Sequence, residues 1–446
     1  MQTGGIFVNR KANAKALLPI LVFLILYLGL GILFEYVLKI PMGFYSIPIV
    51  VVFLISLLVA CIQNKELSFE RKLEIMGGGI GDPNIVTMIL IFLEAGMFVG
   101  VCGRSAAESV AYFMLDCVKN PQWAPAIMFL VSCFVSTAMG TSVGTITLIC
   151  PIGIAIANVS GISPAFIMGA IVGGAMFGDN LSFISDTTIA ACNGQGCQMK
   201  DKFRENFGIA LPAALVSLVI IVIRSMALDL QPVSNPGYNF IQIIPYTIVL
   251  VLGIIGVNVF VVLMIGILTG SVIMLATGAI TGTSLLASMG SGAAGMFETT
   301  MVAVLVSAIC ALIREYGGFD ALLNFIKKVF KGKKNGQLGM GLLVGAMDIA
   351  TANNTVAIVM ANPIAKEMSE TYGIRNKKAA SILDTFSCVF QGVIPYGAQM
   401  LVAISAAAEM GCNVSAFEIM PNLIYPCMLL ISSLIFIYVI PDRKNA

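Results

Sequence analysis

The segment from residue 178 to residue 188 combines acidic and hydroxyl side chains inside a long apolar stretch. It reads Gly-Asp-Asn-Leu-Ser-Phe-Ile-Ser-Asp-Thr-Thr, so two carboxylates, two serines and two threonines fall within eleven residues. Hard cations are bound by several oxygen ligands at once. A carboxylate removed from water also holds a proton more readily. These residues therefore predict a site at which a cation and a proton exchange.

The geometry of this site depends on whether a helix continues through the segment. Asp179 and Asp186 are seven residues apart, so a continuous helix would place both on one face, with Ser182 between them. Alternatively, Ser185 or Asp186 caps a helix that begins at Thr187. The two interpretations are compatible, because a helix break provides both a cap and freed ligands. The predicted ligands in this segment are Asp179, Asn180, Ser182, Ser185, Asp186 and Thr187.

Two further apolar stretches, 124–158 and 338–365, are each interrupted by a polar cluster and are predicted to be re-entrant hairpins. Glycines permit a tight turn in the first, and two adjacent asparagines offer amide oxygens in the second. Alternatively, the small residues form a helix-packing face. Helix N-termini at such tips could also hold an anionic substrate group. The candidate ligands at the two tips are Thr141, Ser142, Thr145, Thr351, Asn353, Asn354 and Thr355.

Six acidic residues lie in apolar surroundings, where a charge at a helix centre costs about 2.5–3.5 kcal/mol on insertion scales. They are Glu94, Asp179, Asp186, Glu298, Asp348 and Asp384. Only two basic residues, Arg224 and Arg314, fall within the predicted spans. Internal ion pairing therefore cannot neutralise the acids, and a bound cation or proton is the simpler explanation. Asp384 is expected to bond to a neighbouring helix, and the predicted proton carriers are Asp179, Asp186, Glu298 and Asp348.

The composition excludes a water-soluble enzyme, a disordered protein and a nucleic-acid binder. Of 446 residues, 58% are hydrophobic and 11% are charged, against about a quarter charged in soluble domains. Such a chain can supply roughly ten helices of about 20 apolar residues. Histidine is absent, which excludes imidazole metal sites and Ser-His-Asp triads. The 11 cysteines are interpreted as small buried hydrophobic residues.

The apolar runs and the basic residues together predict the topology. Full spans are expected near 17–38, 44–61, 84–103, 165–190, 206–226, 241–256, 258–278, 296–316, 379–409 and 419–440. If both hairpins enter and leave on one side, 20 of the 25 basic residues fall on one face, and the positive-inside rule assigns that face to the cytoplasm. We therefore predict ten spans, two hairpins and cytoplasmic termini.

Two halves of this all-α polytopic fold are predicted to be inverted repeats. The first covers residues 1–226 and the second residues 227–446, each with five spans, one hairpin and a broken helix, near 165–190 and 379–409 respectively. Thr141 and Thr145 are aligned with Thr351 and Thr355, and the two hairpin prolines align after a shift of two residues. The second broken helix adds Gln391 as a candidate ligand. In inverted-repeat transporters, interrupted helices form the site at the membrane midplane.

The string at 178–188 resembles the signature of the NhaC-type sodium/proton antiporter family, a branch of the ion transporter superfamily. Gly-Met-Phe-Glu at 295–298 and Arg-Glu-Tyr-Gly-Gly at 314–318 extend the resemblance. It implies inverted repeats, hairpin tips of Ser, Asn and Thr, and an elevator-type transport domain. It also implies that Asp179, Ser182, Ser185, Asp186 and Thr187 form the ion site of the first half, with Thr351, Asn353, Asn354 and Thr355 as the second tip. Asn180 and Phe183 depart from the family pattern, which often has Lys and Pro there.

Our main hypothesis is a Na⁺/H⁺ antiporter of the cytoplasmic membrane, in which Na⁺ is bound by Asp179, Ser182, Asp186 and Asn353. The expected partners are small ions, a small organic solute, the bilayer and a second copy in a homodimer; no nucleic acid and no cofactor beyond Na⁺ and H⁺ is expected. The nearest alternative keeps the fold and couples Na⁺ or H⁺ to an amino acid or small carboxylate. A membrane-embedded aspartate hydrolase is less consistent with the repeated tips. A passive channel is also possible, but a broken helix in each half suits alternating access better.

Overall fold

A computed structural model describes residues 12–39, 47–230 and 237–440 of this protein. Within these ranges every regular element is helical and no β-strand occurs. Nine helices in the described ranges are long and apolar enough to cross a membrane, or ten if the bent pair Ala416–Asn422 and Ile424–Tyr438 is one span. The protein is therefore an all-helical, multi-pass membrane protein, as the composition predicts.

Where the structure describes it, the first half of the chain contains nine α-helices. They are α1 Leu18–Ile32, α2 Ile49–Ile62, α3 Phe69–Ile80, α4 Pro83–Val118, α5 Ala124–Met139, α6 Ser142–Ser160, α7 Pro164–Leu181, α8 Asp186–Gln195 and α9 Met199–Met226. A π-helical turn, Leu33–Val37, extends α1, and Gly103 interrupts the helical backbone of α4.

The second half contains eleven α-helices among its described residues. They are α10 Phe240–Ile254, α11 Val259–Ala276, α12 Gly282–Gly295, α13 Phe297–Glu315, α14 Gly318–Val329, α15 Lys333–Thr351, α16 Asn354–Tyr372, α17 Asn376–Val393, α18 Ala398–Glu409, α19 Ala416–Ile419 and α20 Ile424–Tyr438.

Eight of the ten predicted spans contain a candidate membrane helix, counting the bent pair as one. The other two contain α2 and α10, which have 14 and 15 residues and are therefore about 21–23 Å long. The start of the predicted span 44–61 lies outside the described residues. So do the terminal basic residues, Arg10, Lys11, Arg443 and Lys444, on which the predicted orientation partly depends.

Four helical segments were not expected: α3, the part of α4 beyond Gly103, α12 and α14. The prediction used long apolar runs, and these segments are short or amphipathic. In α14, Phe319 and Ile326 are buried while two lysines lie in the last turn. A single apolar stripe on such a helix is enough to hold it against its neighbours.

Both predicted helix breaks are present. The first separates α7 from α8, where Ser182 has an extended backbone and Ser185 accepts a 3.5 Å hydrogen bond from the amide of Thr188. The second separates α17 from α18 and contains Pro395. Proline lacks the amide hydrogen that a continuing helix needs. Each break spans four residues, so the two interrupted helices are built alike.

A constant offset of 212 residues relates the two hairpins and the helices after them. Gly140 and Ala352 both have left-handed backbones, and Thr141 and Asn353 both cap the helix that follows. The ends of α6 and α7 coincide with those of α16 and α17 at the same offset. The sequence alignment of Thr141 with Thr351 is therefore wrong by two residues. The capping position is what repeats, because Thr and Asn both serve as N-caps.

At the same offset, Pro151 and Pro363 align without any shift. The internal repeat therefore extends without insertions from the hairpin tips to the second part of each broken helix. The boundaries of the two halves, and their opposite orientation in the membrane, stay predictions.

Close packing of α7 on α5 brings the end of α7 to the first hairpin. Ser136 donates a 2.6 Å hydrogen bond to the carbonyl oxygen of Ala175. A Cβ atom added at Gly178 would lie 2.3 Å from Ser136 Cβ and 2.4 Å from the amide nitrogen of Thr137. Only a residue without a side chain fits there, and Asp179 follows it directly.

We expect Gly178→Ala to destabilise the protein by about 1–3 kcal/mol, the typical cost of overpacking. A melting curve of the purified protein in detergent measures the change. Gly29→Ala in α1 is the matched control, because a Cβ at Gly29 would meet no atom within 4 Å. Equal melting temperatures for the two variants would contradict the packing described here.

Candidate functional site

Asp179 lies in the last turn of α7, where the two hairpin tips meet, and its side chain is only 4% exposed. Ser142, the first residue of α6, donates a 2.7 Å hydrogen bond to Asp179 Oδ2. Asn354, the first residue of α16, donates to the same oxygen over 3.1 Å. One carboxylate oxygen therefore contacts both tips, and these are equivalent residues at the 212-residue offset.

The second carboxylate oxygen of Asp179 faces the start of α8. Ser185 donates to Oδ1 over 2.8 Å, and Thr187 lies at 3.4 Å. Ser185 also caps α8, so it serves the helix and the carboxylate together. All four partners, three hydroxyl groups and one amide, also carry an oxygen atom that can bind a cation. The surroundings of Asp179 can therefore stabilise a carboxylate and can also offer oxygens to a cation.

Three helices begin next to Asp179. They are α6, α8 and α16, whose N-caps are Thr141, Ser185 and Asn353. The N-terminus of a helix carries a partial positive charge and free amide hydrogens. These helix ends therefore favour a negative charge at the position of Asp179.

A chain of buried amide side chains joins the first tip to the second. Gln399 Nε2 donates to Ser142 Oγ over 3.0 Å, and Gln391 Nε2 donates to Gln399 Oε1 over 2.8 Å. Gln391 Nε2 also lies 2.9 Å from the carbonyl oxygen of Ala352 at the second tip. Sequence reasoning proposed Gln391 and missed Gln399. The correct repeat register would have found it, because Gln399 is the counterpart of Thr187.

We expect Gln399→Leu to lower the free energy of unfolding by about 1–3 kcal/mol, since it leaves the buried amide of Gln391 without one of its two acceptors. Thermal or denaturant unfolding in detergent measures this. Gln198→Leu, at an exposed cap of α9 without a side-chain hydrogen bond, is the control and should unfold like the unmodified protein. A Gln399→Leu variant as stable as that control would show that the amide chain does not join the tips.

Lys202 is one of the 20 basic residues that the topology prediction places on the cytoplasmic face, but its side chain is buried within the protein. Its side chain is 1% exposed and pairs with Asp384, which is fully buried. The inference that internal ion pairing cannot neutralise the acids is therefore wrong for Asp384, which does bond to a neighbouring helix as expected. The sequence of a basic cluster does not reveal which of its side chains is buried in the protein interior.

Asn180 belongs to the Lys202 group rather than to the partners of Asp179. Its backbone oxygen accepts a hydrogen bond from Lys202 Nζ over 2.7 Å, and Asn206 donates to its side-chain oxygen. Asn206 in turn accepts a hydrogen bond from Ser381. Adjacent residues on α7 face different neighbours, so Asn180 lies beside the site without contacting the carboxylate.

Asp179 and Asp186 do not share a helix face, because the helix is interrupted between them. Asp186 is the first residue of α8 and its side chain is exposed. Ser182 Oγ accepts from the amide of Ile184 over 3.2 Å, which shapes the turn of the break. Neither side chain is among the hydrogen-bond partners that Asp179 has in the described part of the chain.

The remaining tip residues bond within their own hairpins. Thr145 donates to the carbonyl oxygen of Thr141 over 2.8 Å, and Thr351 donates to that of Asn353 over 3.0 Å. Asn353 accepts from the amide of Val356 over 3.0 Å as the cap of α16. Thr355 is half-buried, and its amide donates to Asn354 Oδ1. Of the second tip, only Asn354 reaches Asp179.

The other predicted proton carriers lie in different surroundings. Asp348 is fully buried, and Ser387 donates to its Oδ1 over 3.2 Å, whereas its Oδ2 has no partner among the described residues. Glu298 is exposed in the first turn of α13. Glu409, at the end of α18, was missed, and within the described chain both of its buried carboxylate oxygens lack a hydrogen-bond partner.

The sequence matches the profile of the Na⁺/H⁺ antiporter family over residues 15–226 and 236–439. The chain belongs to this family. A relative, the Na⁺/H⁺ antiporter NhaC of Alkalihalophilus pseudofirmus, is 28% identical over 193 residues, which is 41% of this chain and 42% of the relative. The malate-2H⁺/Na⁺-lactate antiporter of Bacillus subtilis is 25% identical over 182 residues, or 40% of this chain and 38% of that protein.

Each of these alignments therefore spans less than half the length of the relative concerned. Among solved structures, the YdaH transporter of Alcanivorax borkumensis aligns over 87% of this chain and 97% of its own, with 12% sequence identity and a TM-score of 0.46.

Proposed function

We propose that this protein is a secondary active transporter, not an enzyme, that exchanges Na⁺ for H⁺ across the cytoplasmic membrane through Asp179. One observation carries the proposal: a single buried carboxylate is contacted by both hairpin tips and by the start of α8. Membership of the family and the name of the NhaC relative, a Na⁺/H⁺ antiporter, support the same function. We further propose cytoplasmic termini and a homodimer.

In this mechanism Na⁺ and H⁺ compete for one group. The proton binds the carboxyl of Asp179, and Na⁺ binds the same carboxylate with nearby neutral oxygens. Hydroxyls suit this exchange because they act as donors toward a bare carboxylate and as acceptors toward a cation. Ser142, Ser185 and Thr187 can each change role by rotating one bond. The site is open to one side of the membrane at a time, and it changes sides when the hairpins move against the remaining spans.

The direct test uses purified protein in vesicles that contain a pH-sensitive dye. Adding Na⁺ outside should drive protons in the opposite direction, and K⁺ at the same concentration should not. The response should saturate with Na⁺ concentration and should persist when an ionophore removes the membrane potential. Dye signals identical to those of empty vesicles from mildly acidic to alkaline pH would refute Na⁺/H⁺ exchange.

A second candidate is the exchange of a small carboxylate or amino acid, which the name of the Bacillus subtilis relative suggests. The three helix N-termini around Asp179 favour it, since free amide hydrogens there can hold an anionic group. A ligand that binds the folded state raises its melting temperature. A panel of dicarboxylates, monocarboxylates and amino acids, each with and without Na⁺, therefore separates the candidates. Stabilisation by a solute only with Na⁺ present would favour this one.

A further inference from the structure

The ammonium group of Lys202 sits in a cage of oxygen atoms behind the Asp179 site. Its Nζ atom donates over 2.7 Å to the backbone oxygen of Asn180, over 2.7 Å to Thr188 Oγ1, and to Asp384 Oδ2. A lysine ammonium has three hydrogens to donate. All three are therefore used, and the ammonium has no unsatisfied donor with which to bind a passing anion.

The cage is assembled from both repeats. Lys202 lies on α9, Asn180 on α7 and Thr188 on α8, whereas Asp384 comes from α17 in the second half. Asn180 follows Asp179 directly, and Thr188 follows Thr187, so two of the three acceptors adjoin residues of the proposed exchange site. The position of the ammonium is therefore coupled to the position of the ends of α7 and α8.

A cage of this composition is also what a free monovalent cation would need. A carbonyl oxygen, a hydroxyl and a carboxylate are ligands for hard cations. Here they surround the Nζ atom of Lys202, whose side chain is only 1% exposed. The carboxylate of Asp384 would otherwise be a second buried negative charge beside Asp179. An unpaired buried charge is strongly unfavourable.

We propose that the oxygen cage is a monovalent-cation site that the protein fills with its own Lys202 ammonium. This permanent occupant neutralises Asp384 and holds the break between α7 and α8 in place, so that Asp384 does not compete with Asp179 for the transported ion. Lys202 is thus a positioning residue. The inference rests on the proposed exchange at Asp179, but its first test, a melting temperature, does not require transport.

Lys202→Ala should empty the cage and lower the melting temperature of the purified protein. Adding n-propylammonium, which replaces the deleted part of the side chain, should raise the melting temperature of Lys202→Ala in a saturable way and leave the unmodified protein unchanged. The control is Lys200→Ala, at an exposed position two residues earlier in α9. Its melting temperature should equal that of the unmodified protein and should not rise with propylammonium. No stabilisation of Lys202→Ala by propylammonium beyond that of the control would overturn the proposal.

A charge-neutral pair of substitutions keeps the test decisive if Lys202→Ala does not fold. Lys202→Met and Asp384→Asn should each lower the exchange rate about 10- to 100-fold, the usual effect of removing a residue that orients a ligand residue. The double variant Lys202→Met/Asp384→Asn should recover most of the loss, with an unchanged Na⁺ dependence, because no unpaired charge remains. A double variant as impaired as the worse single variant would argue against a resident counter-cation.

Failure of the underlying function is recognised separately. If the unmodified protein shows no Na⁺/H⁺ exchange but Lys202→Ala still binds propylammonium, the cation site at Lys202 is supported and Na⁺/H⁺ exchange at Asp179 is refuted. If exchange is normal in Lys202→Met alone, the cage needs no cation and this inference falls, while Asp179 exchange stands.

Discussion

Asp179→Asn abolishes Na⁺/H⁺ exchange if Asp179 carries both ions. The asparagine has nearly the same shape as aspartate, but it neither bears a negative charge nor releases a proton. The hydroxyls of Ser142 and Ser185 can turn toward its amide, so the variant is expected to fold. In dye-loaded vesicles its response to Na⁺ should match that of empty vesicles, while its melting temperature stays close to that of the unmodified protein.

Two matched variants sharpen this expectation. Glu70→Gln removes an exposed carboxylate from the first turn of α3 and should exchange normally. Asp186→Asn removes the exposed carboxylate of the same signature segment and should cause a smaller loss than Asp179→Asn, because Asp186 is not among the contacts of the tips. Exchange by Asp179→Asn at the rate of Glu70→Gln would remove the basis of the proposed mechanism.

Asn354→Ala is the variant with the second largest expected effect. It deletes one of the two donors to Asp179 Oδ2, and hydrogen bonds to charged groups contribute about 1.5–3 kcal/mol. Since 1.4 kcal/mol is a factor of ten, the Na⁺ concentration for half-maximal exchange should rise about 10- to 100-fold. A series of Na⁺ concentrations in the vesicle assay measures it.

Its neighbour provides the control within the same tip. Asn353 caps α16 and does not contact Asp179 in the described structure, so Asn353→Ala should lower stability by about 0.5–2 kcal/mol with a much smaller change in Na⁺ dependence. Equal effects of the two variants on Na⁺ dependence would mean that the tip acts as a whole rather than through Asn354.

Sequence reasoning located the parts of the fold that depend on local composition. Long apolar runs predicted most of the spans, and clusters of Gly, Ser, Thr and Asn predicted both hairpin tips and both breaks. Asp179 was predicted for the same reason, because a carboxylate next to hydroxyls in an apolar stretch can be recognised from the sequence alone. These features need no knowledge of which helices are neighbours.

The contacts that were missed depend on distant parts of the chain. Nothing near Lys202 in the sequence shows that it pairs with Asp384 on α17. The helix break also changed the outcome for Asp186, which a continuous helix would have placed beside Asp179. The predicted alignment of the two hairpins was wrong because it matched identical threonines. The feature that the hairpins share is the N-cap, which is Thr141 in one and Asn353 in the other.

The offset of 212 residues places Gln391 opposite Asp179, each three residues before the cap that ends its helix. Two matching backbones thus carry one ionisable group and one that never ionises. An acid at both positions could bind two cations or two protons in one transport cycle, whereas Asp179 and Gln391 together offer one carboxyl group. If Asp179 is the exchanging group, Gln391→Glu would give the second half of the site a carboxyl group of its own, and the number of ions exchanged per transport cycle is the property that this change is expected to alter.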